Sequence, residues 1–147
     1  MCLFGIIFSE VYKANCNNYN MLFDFSSIIA DVKGIIGLPA NLFYGTGIAA
    51  SIIIIDKEDA EHRKGIFMID AGKGFIKDGN KNRLREQDIH QVVDVFNKQL
   101  PILKYSRMVP LSEIKGEKNN YNLNIPRYID RLLRNGKFIQ VQGGRKI

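Results

Sequence analysis

The apolar positions fall into short blocks from residue 32 onward, and the blocks predict elements in order. VKGIIGL (32–38) is rich in β-branched residues and meets Pro39, whose nitrogen cannot donate to a ladder. IAASIIII (48–55) is an almost unbroken apolar run of the kind found in strands covered on both faces, and Asp56, Lys57 and Glu58 end it. Residues 35–38 and 52–55 are therefore expected as neighbouring strands of one sheet. The intervening PANLFYGTG is too long for a tight hairpin, and Gly45 and Gly47 give it backbone freedom. IFMID (66–70) predicts a further short strand, followed by the glycine-bearing AGKGF. Across 82–100, Ile89, Val92, Val93, Phe96 and Leu100 recur at helical spacing, with Glu86 and Asp88 early, Lys98 late and Pro101 as the stop. The expected contacts of this helix with the sheet are Ile89, Val93 and Phe96.

The flanks are less patterned. Residues 1–31 contain the Asn-rich break NCNNYN between two apolar runs and read as a weakly specified lead-in. Residues 32–105 form the α/β part. Residues 106–147, punctuated by Pro110, Gly116 and Pro126, read as an irregular arm and basic tail, in which FIQVQ (138–142) is a possible last strand.

A chain of 147 residues has room for one ordinary domain, and 46% hydrophobic with 24% charged residues excludes wholesale disorder, collagen and coiled coil. The run at 48–55 falls far short of the roughly twenty residues of a membrane helix. The N-terminal apolar run has no basic residue before it and no small-residue cleavage pattern after it, so a cytoplasmic protein without membrane attachment is expected. Cys2 and Cys16 supply neither a disulfide framework nor a zinc set, and no metal is expected. The net charge of +6 is concentrated at the end: Arg127, Arg131, Arg134, Lys137, Arg145 and Lys146 face one acid, Asp130, and the body is nearly neutral. Such a tail suits phosphate, and it also suits a solvated terminus.

Among candidate motifs, IFMIDAGKGF looks like a nucleotide or S-adenosylmethionine loop. It lacks the third small residue and the immediately following helix that bring amides to a ligand. No GxxxxGK[ST] is present, and His62 and His90 have no partner at ligand spacing. LPANLFYGTGI carries more. Adjacent aromatics in a glycine-flanked loop at strand ends form either a cap on the core, with Tyr44 hydrogen-bonded into the loop, or a platform for a planar ligand such as a base.

The strings IIGLPANLFYGTGIAASIIIIDK, IFMIDAGKGF, NRLREQDIHQVVDVF, YSRMVPLSEIK and YNLNIPRYID, in this order over 35–130, closely resemble the C-terminal part of the catalytic domain of the methylase (modification) subunit of type I restriction-modification systems. The resemblance implies an α/β, partial S-adenosylmethionine-dependent methyltransferase (Rossmann-like) fold: the last strands of the sheet, a following helix and an irregular C-terminal arm. It also implies membership of an N6-adenine DNA methyltransferase that uses S-adenosylmethionine, with DNA, a specificity subunit and a restriction subunit as partners. In related adenine methyltransferases an aromatic before the last strand stacks on the extruded base. Phe43 matches that position, with Tyr44 as alternate, in the loop of Pro39, Asn41, Gly45, Thr46 and Gly47.

The departures are equally specific. Family members carry a glycine-rich cofactor loop and an Asn-Pro-Pro-aromatic catalytic motif upstream of this region. Here Pro39, Pro101, Pro110 and Pro126 are all isolated, and NIPRY lacks the second proline. No catalytic residue is therefore expected in this chain, and no S-adenosylmethionine binding by the chain alone. The sequence reads as a fragment, from a truncated or frame-shifted gene, of a type I methylase subunit. The alternatives are a non-catalytic module docking on DNA or the specificity subunit through Arg127, Tyr128, Arg131, Arg134 and Lys137, and a degraded product without a role.

Overall fold

The computed structural model describes residues 29–129 and the backbone of residues 2–8. Among the described residues five strands form one sheet: β1 (Cys2–Phe8), β2 (Val32–Gly37), β3 (Ala50–Asp56), β4 (Gly65–Asp70) and β7 (Ser106–Pro110). Their order is β1-β3-β2-β4-β7. β3 lies between β1 and β2 and is antiparallel to both, with Ile35 opposite Ile53 and Ile36 opposite Ile52, so the two expected strands are neighbours. β2 and β4 are parallel, and β7 closes the described edge antiparallel to β4. The lead-in thus contributes an edge strand where its sequence shows no periodicity. Tyr19 and the Asn-rich break, like FIQVQ, lie outside the described residues.

Alternation along the strands builds two apolar layers. Ile35, Ile53, Ile66, Met68 and Val109 face one side, packed with Ile114, Leu123, Ile125, Tyr128 and Ile129. Ile36, Ile54, Phe67 and Ile69 face the other, packed with Val95, Val92 and Phe96. The latter come from α1 (Glu86–Lys98), and Phe96 meets Phe67 edge to face at 6.2 Å between ring centroids. Gly34 permits this approach, because a Cβ there would collide with the Phe96 ring and stand 2.9 Å from the Phe67 carbonyl oxygen.

Two expectations need correction. The helix begins at Glu86, not at 82, because Lys81–Arg83 forms β6, paired with β5 (Ile76–Asp78) in a small hairpin. Its packing face is also rotated. Ile89 and Val93 are 48% and 49% exposed, while Val95 is buried and Val92 and Phe96 are half-buried against the sheet.

Beyond α1 the chain is structured where an irregular arm was expected. β7 is followed by α2 (Leu111–Lys115) and α3 (Ile125–Ile129), which cover the sheet face opposite α1. Arg107 of β7 makes an ion pair with Glu113 at 2.8 Å and donates to the Tyr128 carbonyl at 3.2 Å. Asn119 donates to the Glu113 carbonyl at 2.6 Å. The side chains of Arg107, Glu113 and Asn119 thereby fix a segment of low regular content.

Candidate functional site

Because β2 and β4 are parallel, the loops leaving their carboxyl ends emerge side by side, and the Ala71 N–H donates to the Gly37 carbonyl at 2.9 Å between them. The first is the aromatic loop of residues 38–49. Leu38 N–H to Ala50 carbonyl, at 2.8 Å, closes its base, and Pro39 is fully buried beneath it. Asn41 and Gly45 take left-handed conformations at φ 56° and 77°, which turn the chain outward. Ile48 N–H donates to Thr46 Oγ1 at 3.2 Å. A Cβ on Gly47 would stand 3.1 Å from Asn41 Oδ1, so its lack of a side chain makes room for that carboxamide.

This scaffold projects the two aromatics. Phe43 is 37% exposed and lies outside both apolar layers; Tyr44 is 91% exposed at the loop tip. The Tyr44 ring lies against the Lys81 ammonium, a cation–π contact with the neighbouring hairpin. Tyr44 hydrogen-bonding into its own loop, one of the two sequence readings, is replaced by this contact.

The second loop, 71–75, turns its glycine amides onto itself. Gly72 N–H donates to Asp70 Oδ1 at 3.1 Å and Gly74 N–H to the Ala71 carbonyl at 3.1 Å. It leads into β5, not into a helix, so no helix N-terminus follows it to receive a phosphate or carboxylate. These residues do not fit an S-adenosylmethionine cradle. No group of three or more His, Cys, Asp or Glu able to hold a metal occurs among the described residues. No helix among them is long and apolar enough to cross a membrane.

The β5–β6 hairpin supports the aromatic loop through one residue that sequence reasoning overlooked. Asn82 is buried, donates its side-chain amide to the Ala40 carbonyl at 2.7 Å, and donates its backbone N–H to the Asn41 carbonyl at 2.9 Å. Its position inside an apparent helix start masked this role; a polar residue flanked by Lys81 and Arg83 carries no burial signal. Just beyond, the Asp88 carboxylate accepts the Arg85 backbone N–H at 3.1 Å and a bidentate pair from its guanidinium at 2.8 and 2.9 Å. The hydrogen bonds from Arg85 hold the Asp88 carboxyl below the usual aspartate value. Nearby, burial, reinforced by Asp88 and Asp70, pushes the Tyr105 hydroxyl up.

The tail candidates divide. Arg127 is half-buried on α3, whereas Tyr128 has no exposed surface and donates its hydroxyl to the Asn122 carbonyl. Tyr128 is a core residue of this fold and offers no surface to DNA or a partner. Arg131, Arg134 and Lys137 lie outside the described residues.

An α/β sheet with functional loops at the carboxyl ends of parallel strands is the architecture of many ligand-handling enzymes, and comparison with known proteins narrows it. Residues 28–134 match the family model for N-6 DNA methylase, and the chain belongs to that family. It is similar to the type I restriction enzyme MjaVII methylase subunit of Methanocaldococcus jannaschii, 39% identical over 102 residues, covering 67% of this chain and 17% of that protein. It is also similar to the type I restriction enzyme MpnII methylase subunit of Mycoplasma pneumoniae, 29% identical over 130 residues, or 88% of this chain and 22% of that protein. The crystal structure of the type I restriction-modification system methyltransferase subunit from Streptococcus thermophilus superposes with a TM-score of 0.61 at 35% identity, over 69% of this chain and 21% of that one. The chain thus spans about a fifth of the length of the relatives it matches.

Proposed function

We propose that this chain supplies the target-base loop of a type I restriction-modification methylase subunit, which methylates the exocyclic N6 amine of adenine in DNA with S-adenosylmethionine as donor. The observation that carries the reading is the aromatic pair raised at the carboxyl ends of β2 and β4 by the loop 38–49. An enzyme working on a base inside a duplex must extrude it, and an aromatic face offsets a few kcal/mol of lost stacking. Phe43 is the stacking residue. It is partly embedded, so its ring is held in place, while Tyr44 stands outermost and is engaged by Lys81. Pro39, Asn41, Gly45, Thr46 and Gly47 position it. A specificity subunit, a restriction subunit and DNA are the partners, with Arg127, Arg131, Arg134 and Lys137 as tail contacts, in the cytoplasm.

The donor site and the group that holds the target amine are supplied from outside this sequence. Calorimetric titration of the isolated chain with S-adenosylmethionine is expected to show no binding; micromolar affinity would mean that the loop 71–75 had been misread. In a complete methylase assembly containing this region, Phe43→Ala is expected to slow adenine methylation by about one to two orders of magnitude, since stacking contributes about 1–3 kcal/mol per base. Its melting temperature should change little. If Phe43 were instead core, truncation would cost about 3–5 kcal/mol and unfold the protein. Methylation rate and melting temperature measured on the same variant separate the two, and a folded, fully active variant defeats the stacking role.

A further inference from the structure

The charge of the body is not evenly spread. The segment 73–85 holds Lys73, Lys77, Lys81, Arg83 and Arg85 against a single acid, Asp78, while acids outnumber bases through the rest of residues 1–126. This segment is the β5–β6 hairpin and its flanks, beside the aromatic loop. Arg85 is committed to Asp88, and Arg83 lies 3.4 Å from Asp78 in a pair exposed to solvent on both sides. An exposed pair of that kind holds its charges weakly and yields to a stronger anion. Lys73 and Lys77 are exposed and have no salt bridge among the described residues.

The register sets the orientation. Lys77 pairs with Asn82, Asp78 with Lys81, and Ile76 with Arg83, so Lys81 and Arg83 share one face of the ribbon with Ile76 and Asp78, while Asn82 and Lys77 take the other. Asn82 uses its face to fasten the ribbon to the carbonyls of Ala40 and Asn41. Lys81 meets the Tyr44 ring. A cationic ribbon is therefore held at fixed distance from the aromatics of the loop.

We propose that the β5–β6 hairpin is a phosphate-binding finger that grips the DNA backbone next to the extruded nucleotide, with Lys81 and Arg83 on its one face as its contacts and the Tyr44–Lys81 pair joining it to the base loop. The proposal rests on the reading of the chain as part of a DNA methylase, and it adds a site distinct from the basic tail. Phosphate contacts set register and orientation on the duplex, which base extrusion requires at the flanking nucleotides.

The test is fluorescence anisotropy of the full 147-residue chain with a labelled DNA duplex across a series of salt concentrations. Each phosphate contact adds about 0.9 to the slope of log affinity against log salt, so Lys81→Gln/Arg83→Gln should lower the slope by about 2 and weaken binding about ten-fold or more near 0.1 M salt. The single variant Arg83→Gln, which leaves Lys81 on Tyr44 and changes an exposed position alone, should lower the slope by about 1 with an unchanged melting curve. Arg131→Gln/Arg134→Gln/Lys137→Gln is the comparison. If the hairpin variants keep the wild-type affinity and slope while the tail variant loses them, the finger is overturned and the DNA reading stands. If the wild-type chain fails to bind the duplex even at low salt, the finger is likewise overturned, while the target-base reading still stands or falls by the methylation rate of Phe43→Ala.

Discussion

Asp88 shows how a single carboxylate organises this part of the fold. It anchors the first turn of α1 through the Arg85 N–H, takes the Arg85 guanidinium in bidentate fashion, and packs where a Cβ on Gly74 would come within 3.2 Å of it. Its pKa is lowered in the folded protein, so the stability it adds is complete above the ordinary aspartate value of 3.8 and is lost as pH falls through the lower folded value. Asp88→Asn is expected to melt lower than wild type at neutral pH, with the gap closing as the pH drops below 3.8; a gap unchanged at acid pH would contradict the assignment. At Gly34 the expectation is steric: Gly34→Ala forces the Phe96 ring away from Phe67 and destabilises the fold by about 1–3 kcal/mol, read by urea unfolding. The sequence marked Asp88 as an acid near a helix start. It did not reveal that the residue is buried, because that depends on the bidentate partner.

At the scale of elements, legibility followed length and periodicity. The blocks VKGIIG and ASIIIID are strands because β-branched residues fill both faces of an interior ladder, and that signal is local. The face of α1 was misassigned because two apolar stripes overlap on it. Ile89 and Val93 lie on the solvent stripe, and the buried one runs through Asp88, Val92, Val95 and Phe96, which a charged residue disguises. The consequence is measurable. Ile89→Ser and Val93→Ser should change stability by no more than about 0.5 kcal/mol, whereas Val95→Ala should cost about 1.6 kcal/mol or more, from about 0.8 per buried methylene plus a cavity. Equal losses at Ile89 and Val95 in urea unfolding would restore the original face. The hairpin and the helices α2 and α3 were illegible for another reason. Strands of three residues and helices of five are too short to show a period, and they form because Asn82 and Arg107 tie them to distant backbone and Tyr128 is buried in the core.

Across the whole molecule, the family could be read from the order of its blocks, and the aromatic loop was recognised as the feature that packing alone explains poorly. The cationic hairpin beside it went unread because the body's net charge is near zero, and only the fold shows which cations gather on one ribbon. Together they present a ring, an ammonium and exposed basic side chains on one rim of the sheet, and the proposed contact with a nucleotide turned out of a duplex rests on that arrangement. The most direct measurement places 2-aminopurine at the target adenine of a duplex bound by a complete methylase assembly containing this region. If Phe43 stacks on the extruded base, the wild-type complex is quenched and Phe43→Ala brightens it, with DNA affinity changed by no more than the stacking term of about 1–3 kcal/mol. Equal fluorescence from the two complexes, with both proteins folded and bound, would show that the base does not rest on Phe43 and would contradict the account.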